Sequence, residues 1–280
     1  MNKSHTYKIL GNIGLWILTG IIIVVAMGPL LWFAEIAFKP QILAWVMPPK
    51  FIFTPTLENF KELLFSASGN GFINAFKNSM IVSVSVTVIA LFLGLTSGYA
   101  LARSKFKFSR YMGIWIILTR MAPPMIFLLP FYKMLAAVNM SGTYAGLIIC
   151  YLVITLPFVT WMMSSYFRTI PEEIEEAAML DGCSRIQILF RIATPIALPG
   201  VVTCTIFSFI YSWNEFLFAL VLTGRDTKTI PIMIQGFMSS EGTQWGLLSA
   251  TAMIIILPVL IVTVVNQKGF ARGLTGGAVK

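Results

Sequence analysis

The sequence predicts an all-α polytopic membrane protein with six transmembrane helices, on three observations. The chain is 57% hydrophobic and only 11% charged, whereas charged residues approach a quarter of an ordinary soluble domain. Its mean hydropathy is +0.83. Its apolar residues gather into long runs separated by charged or proline-rich stretches. At about 20 residues per helical crossing plus loops, 280 residues hold roughly six or seven spans. So apolar a chain cannot stay solvated, and it has neither Gly triplets nor sustained heptads, which excludes disorder, collagen and coiled coil.

The first apolar run covers residues 13–34, with Lys3 and Lys8 before it and Lys39 after it. It exceeds the roughly 7–15 residues of a signal-peptide core, so residues 1–38 read as an N-terminal tail and a first span rather than a cleaved leader. Residues 39–77 change character, with Pro40, Pro48, Pro49 and Pro55, several charges and a Gly69-Asn70-Gly71 turn, and read as an extramembrane loop. Five further spans, at 78–101, 111–135, 144–167, 196–222 and 247–265, make a core over 78–266, followed by a tail at 267–280. Asn78 and Ser79 read as a cap on the second span. Pro123, Pro124, Pro130, Pro157 and Pro258 are expected to kink or break their helices, because proline removes a ladder donor and clashes with the preceding turn.

Orientation follows from the basic residues of the loops. One side holds Lys3, Lys8, Arg103, Lys105, Lys107, Arg110, Arg168, Arg185, Arg191, Lys268, Arg272 and Lys280; the other holds Lys39, Lys50, Lys61, Lys77, Lys133, Arg225 and Lys228. The excess predicts both termini in the cytoplasm, residues 39–77 outside, and a cytoplasmic loop at 168–195. The same rule accounts for the net charge of +9 without a nucleic-acid partner, and no zinc-finger spacing or base-stacking motif accompanies it. Three cysteines at no ligand spacing predict neither disulfides nor a zinc site. The lone His5 lies in the N-terminal tail, which excludes a histidine triad or a HExxH site in the folded body.

The loop at 168–195 carries five of the eleven acidic residues: Glu172, Glu173, Glu175, Glu176 and Asp181. Thr169-Ile-Pro-Glu172 has the form of a capping box, with carboxylates gathered where the helix dipole favours them. A short helix is expected here, with Ile174, Ala177, Ala178 and Asp181 on one face and Gly182 as a left-handed stop. A second helix, 184–194, is expected to end at Pro195. An acidic helix with a small Ala-Ala face suits a knob that docks into a cleft; the same features also describe a solvated, well-capped loop.

Glu176-Ala177-Ala178-x-x-x-Gly182, nine residues, then Ile192-x-Thr194-Pro195, resembles the EAA signature of the membrane subunits of ATP-binding-cassette (ABC) importers. Thr194 stands where that pattern usually has leucine. Gly98-Tyr-Ala-Leu-Ala-Arg103, Tyr211-Ser-Trp-Asn-Glu-Phe216 and the tail Gly273-Leu-Thr-Gly-Gly-Ala-Val-Lys280 look like the second permease of sugar importers of the maltose and glycerol-phosphate type. The resemblance spans nearly the whole chain and implies a type I ABC importer permease fold with a cytoplasmic coupling helix. It implies as partners a second homologous permease, two ATPase subunits, an extracytoplasmic solute-binding protein and the lipid bilayer, in a prokaryotic cytoplasmic (inner) membrane.

On that resemblance, Glu172, Glu173, Glu176, Ala177, Ala178, Asp181, Gly182, Ile192 and Pro195 form the ATPase coupling element, with the tail glycines Gly273, Gly276 and Gly277 reaching the ATPase. The chain has no Gly-x-x-x-x-Gly-Lys-Ser/Thr loop to cradle phosphates, so ATP and magnesium are expected on the partner subunits and no cofactor or metal on this one. Arg120, Trp213, Asn214 and Glu215 are polar or stacking residues within spans. Intramembrane charge is costly, which points to pathway contacts or to pairing inside the bundle, such as Arg120 with Glu215. Glu35, at a span end, reaches the interface. An ion-coupled secondary transporter fits poorly, with six unequal spans and one deep acid. An ABC permease for another solute class would keep the coupling loop and change the cargo, and the sequence does not name the solute.

Overall fold

The computed structural model describes residues 3–104, 108–239 and 242–275. It is almost wholly helical and divides into two compact units, Met1–Asn70 with Phe237–Ile256, and Gly71–Gly236 with Leu257–Lys280.

In the first unit, α1 (Lys3–Ala37) is exposed along residues 14–32, the state of an apolar helix with only lipid or a partner around it. Its C-terminal end is built more tightly. Asn59, on α2 (Glu58–Phe65), donates from its side-chain amide to the carbonyls of Ala37 (2.9 Å) and Lys39 (2.7 Å), satisfying acceptors that a helix end leaves free. Lys39 is buried. It pairs with Glu35 at 2.6 Å and lies 5.1 Å from the Phe53 ring centroid and 5.7 Å from that of Trp32, so Glu35 is held by a neighbour one turn on. A two-stranded ribbon, β1 (Met238–Ser239) with β2 (Gly242–Thr243), leads toward the last helix.

The second unit is organised on two long apolar helices, α3 (Ala67–Arg103) and α6 (Tyr144–Arg168). They approach closely because Gly94 and Gly98, one turn apart on α3, face α6: a Cβ on Gly98 would sit 2.9 Å from the Thr160 carbonyl oxygen. Without a hydrophobic drive in lipid, such small-residue crossings with interhelical hydrogen bonds hold helices together. Ser97 and Thr160 supply one, hydroxyl to hydroxyl at 2.8 Å. One buried cluster gathers Leu95, Val159, Met163 and Phe167, and another gathers Val82, Leu147, Tyr151 and Phe218.

Two expected spans are broken. α4 (Ser109–Met121) and α5 (Pro124–Ala137) meet at 93°. Ala122, preceding Pro123, is forced extended, as a residue before proline tends to be. Pro130, Pro157 and Pro258 lie inside helices that run on past them. α7 (Glu172–Leu180) is followed by α8 (Arg185–Ile188), a π turn (Leu189–Ala193) and α9 (Thr194–Ile196), and the chain then bends by 83° into α10 (Leu198–Asn214). α11 (Leu217–Leu222) and α12 (Ile230–Ile234) precede the last long helix, α13 (Trp245–Thr275). Among the described residues four helices are long and apolar enough to cross a membrane, and the two bent pairs bring the number to at most six if each counts as one span.

Two further expectations are corrected. The Gly69–Gly71 turn is helical backbone, because α3 begins at Ala67. Asn78 and Ser79 therefore lie inside a helix and cap nothing at its start. They staple the loop at 223–230 instead: the Asn78 amide donates to the carbonyls of Asp226 (2.9 Å) and Lys228 (2.8 Å), and Ser79 Oγ accepts from the Ile230 N–H at 2.9 Å. Tyr144 completes the arrangement, its hydroxyl donating to Asn78 Oδ1 at 2.6 Å.

Candidate functional site

The acidic helix predicted in the 168–195 loop is α7, but it starts differently from the expectation. Thr169 is the last residue of the α6 turn, and its hydroxyl donates back to the Tyr166 carbonyl at 2.7 Å, so it caps nothing ahead. Pro171 takes the N-cap position with φ −56° and ψ 134°, and the carboxylates of Glu172, Glu173 and Glu175 occupy the first turn. The capping box lies one helix later: the Gln187 N–H donates to Ser184 Oγ (3.4 Å), and the Ser184 N–H donates to Gln187 Oε1 (2.7 Å).

α7 ends as the spacing predicts. Gly182 has φ +83°, the Cys183 N–H reaches the Ala178 carbonyl at 3.0 Å and the Gly182 N–H reaches that of Met179 at 3.1 Å, a Schellman motif. Pro195 does not end the second helix, which continues to Ile196. The wider π turn just before it gives the pyrrolidine ring room, and the bend follows at Ala197.

The inward edge of α7 is set by Glu175, counted among the loop's acidic residues but not in the expected coupling element. Glu175 is 2% exposed. One oxygen accepts from Arg103 Nε (2.9 Å) and Nη2 (2.7 Å), and the other accepts from the Tyr99 hydroxyl (2.6 Å). Arg103 also donates to the Ile170 carbonyl at 2.9 Å, and the Tyr99 ring stands edge-on to Phe167, with centroids 5.5 Å apart. The last turn of α3 is thereby locked to the first turn of α7 by charge-assisted bonds that use both carboxylate oxygens.

Ala178, one turn after Glu175, packs into the same buried cluster as Phe167 and Ile188. The expected common face of Ile174, Ala177, Ala178 and Asp181 is thus divided: Ala178 points into its own protein, while Ile174, Ala177 and Asp181 are exposed. Glu172, Glu173, Glu176 and Gly182 are exposed with them, Ile192 is half-buried and Pro195 exposed. Two large apolar residues stand at the tip of this element, Leu180 at 90% exposure and Ile186 at 71%. Of the tail glycines, Gly273 lies in the backbone of α13, and Gly276 and Gly277 lie outside the described residues.

Of the two alternatives for the polar residues of the spans, pairing of Arg120 with Glu215 is not seen among the described residues. Glu215 sits where α10 stops, and its carboxylate accepts from the N–H groups of Phe218 (3.0 Å) and Ala219 (3.2 Å), capping α11 inside a broken helix. Arg120 is exposed at the bend between α4 and α5, its guanidinium 4.9 Å from the Phe158 ring centroid. Trp213 is buried, stacked on Phe209 at 5.6 Å and edge-on to Phe76, so its faces are covered by the protein itself. Asn214 is exposed, its amide donating to the Ile210 carbonyl at 2.9 Å.

The signals that went unread were present. Gly94-x-x-x-Gly98 in an apolar run is a helix-crossing pattern, and Ser184-x-x-Gln187 is a capping box. Nothing local pairs Arg103 with Glu175, since 72 residues separate them.

Comparison with known proteins agrees with this architecture. Residues 90–275 match the family model described as "Binding-protein-dependent transport system inner membrane component". The chain is similar to the inner membrane ABC transporter permease protein YcjP of Escherichia coli (strain K12), at 36% identity over 80% of each chain. It is similar to the trehalose transport system permease protein SugB of Mycobacterium tuberculosis (strain CDC 1551 / Oshkosh), at 32% identity over 94% of this chain and 96% of that one. A bacterial ABC transporter involved in the import of the acidic polysaccharide alginate shares the fold, with a TM-score of 0.77 at 22% identity over 96% of this chain and 98% of the other. With the family model matching well over half its length, the chain belongs to the binding-protein-dependent transport system inner membrane components, the permease subunits of ABC importers.

Proposed function

We propose that this subunit forms half of the translocation pathway of an ATP-driven importer for a sugar or sugar derivative, and that α7 couples it to the ATPase. Six spans are formed by α1, α3, the bent pair α4 and α5, α6, α10 continued by α11, and α13. Both termini lie in the cytoplasm, with α7 to α9 on the same side. A second permease, two ATPase subunits and an extracytoplasmic solute-binding protein complete the assembly. ATP and magnesium belong to the ATPase subunits. The sugar assignment is supported by the relatives, one of which is named for trehalose transport.

One observation carries the coupling reading: α7 is fastened to α3 on its inner edge by Glu175, Arg103 and Tyr99 and presents Glu172, Glu173, Glu176, Ala177 and Leu180 outward. A helix bound so tightly to the end of a span moves with it as a rigid lever when a partner pushes on its outer face. Glu172, Glu173, Glu176 and Asp181 offer carboxylates to a basic groove, Ala177 permits close approach, Leu180 fills an apolar pocket, and Gly182 sets the bend toward Ile192 and Pro195.

The test is a mild-detergent purification of the subunit from its native membrane, with identification of the co-purifying chains and assay of ATP hydrolysis. Recovery of a second permease, an ATPase and a sugar-retaining binding protein is expected. A chain that purifies alone and transports without ATP contradicts the reading.

A further inference from the structure

Two adjoining hollows among the spans share Arg120, Ile154 and Tyr211. The larger is about 300 Å³ and the smaller about 80 Å³; small-molecule sites run from about 300 to 1,000 Å³, mostly apolar with a few placed polar groups. The walls here are of that kind. Arg120 is exposed, and among the described residues it has no carboxylate in an ion pair. The nearest acid in the sequence of the adjoining span, Glu215, is occupied in capping α11. Ser208 also lines the smaller hollow; it is fully buried, and its hydroxyl finds no hydrogen-bond partner among the described residues. Phe158 and Phe207 meet edge to face at 5.8 Å on the same wall.

A guanidinium in a membrane-spanning segment with an aromatic ring but no carboxylate beside it among the described residues, and a buried hydroxyl with no partner among them, are each unfavourable. Both are satisfied by one kind of occupant. Guanidinium offers five donors and no acceptor, so it requires oxygens; a serine or tyrosine hydroxyl both donates and accepts. A ring bearing several hydroxyl oxygens, with an apolar face to lay against phenylalanine, meets all of these demands. We propose that Arg120, Ser208 and Tyr211, with the Phe158 ring, form a sugar-binding subsite of the pathway within this subunit. The subsite rests on the reading of the cargo as a sugar. Trp213 and Glu215 are outside it and shape the bundle.

The proposal is tested in the whole complex, reconstituted in liposomes with its own binding protein, by uptake of labelled trehalose, maltose and diacetylchitobiose. Arg120→Met is expected to lower uptake of the transported sugar roughly tenfold to a hundredfold, the effect of losing a charged hydrogen bond, while assembly and ATP hydrolysis stimulated by the binding protein persist. Arg120→Lys, which keeps the charge but loses the planar fork, falls between the two. Ser208→Ala removes an orphan hydroxyl, so the complex is at least as thermally stable, yet the KM for the sugar rises. Wild-type uptake rates in both variants overturn the subsite and leave the importer reading standing. A defect of Arg120→Met that appears only in liposomes containing phosphatidylglycerol assigns the guanidinium to a lipid phosphate and overturns it too. A wild-type complex whose binding protein retains no sugar or sugar derivative, and which imports none of the three, defeats the sugar reading, and the subsite with it.

Discussion

A single carboxylate, that of Glu175, receives three hydrogen bonds from two side chains of α3 while almost wholly buried. Removing one partner of such a pair strands the other, at a cost of about 3–5 kcal/mol, whereas replacing both by apolar residues is far milder. Glu175→Ala is therefore expected to lower the thermal midpoint of the purified complex sharply and to weaken ATP-driven uptake. The pair Glu175→Leu with Arg103→Met recovers most of the stability but not the coupling. A thermal scan and an uptake assay on the same preparations check both statements; equal stability of the single and double variants contradicts the buried pair. The charge count of the loop exposed the acidic excess but not which acid turns inward, because that depends on a partner 72 residues away. Ala178 makes the same point. The motif placed it at the coupling element, and only the fold puts it on the inner edge, where Ala178→Leu would overfill its own bundle.

Among the elements, the long apolar helices α1, α3, α6 and α13 were legible in composition alone, since nothing but a span needs such runs. The breaks were not. The α4–α5 bend was legible from Pro123 and Pro124, but the interruption of α10 and α11 at Glu215 has no proline to announce it. There the polar group that marks the break is the same one that repairs it, by capping α11. The end of α7 followed from Gly182, whose φ of +83° a β-branched residue adopts only with strain. Gly182→Val is expected to lose about 1–2 kcal/mol locally and to redirect the chain toward α8. The variant inserts and assembles, as blue-native electrophoresis should show, while sugar uptake per ATP hydrolysed falls. Full coupling in this variant would show that the bend is incidental.

For the whole molecule, the proposed function makes the permease a transmission part. In the proposed coupling, energy entering at α7 from a partner would pass through the Glu175–Arg103–Tyr99 lock into α3 and reach α6 through the close crossing at Gly94 and Gly98. Fold class and family were readable because hydropathy and the EAA spacing are local in sequence; the lock, the loop staple at Asn78 and the hollow at Arg120 were not, being assembled from distant residues. The proposed coupling is tested by photo-crosslinking in native membranes from a reactive amino acid placed at Leu180, with Ile52, in the 39–77 loop expected outside, as the control position. Leu180 is expected to capture the ATPase subunit, with a yield that changes when ATP is added, and Ile52 is not. Capture of the ATPase from Ile52, or none from Leu180, would contradict that coupling.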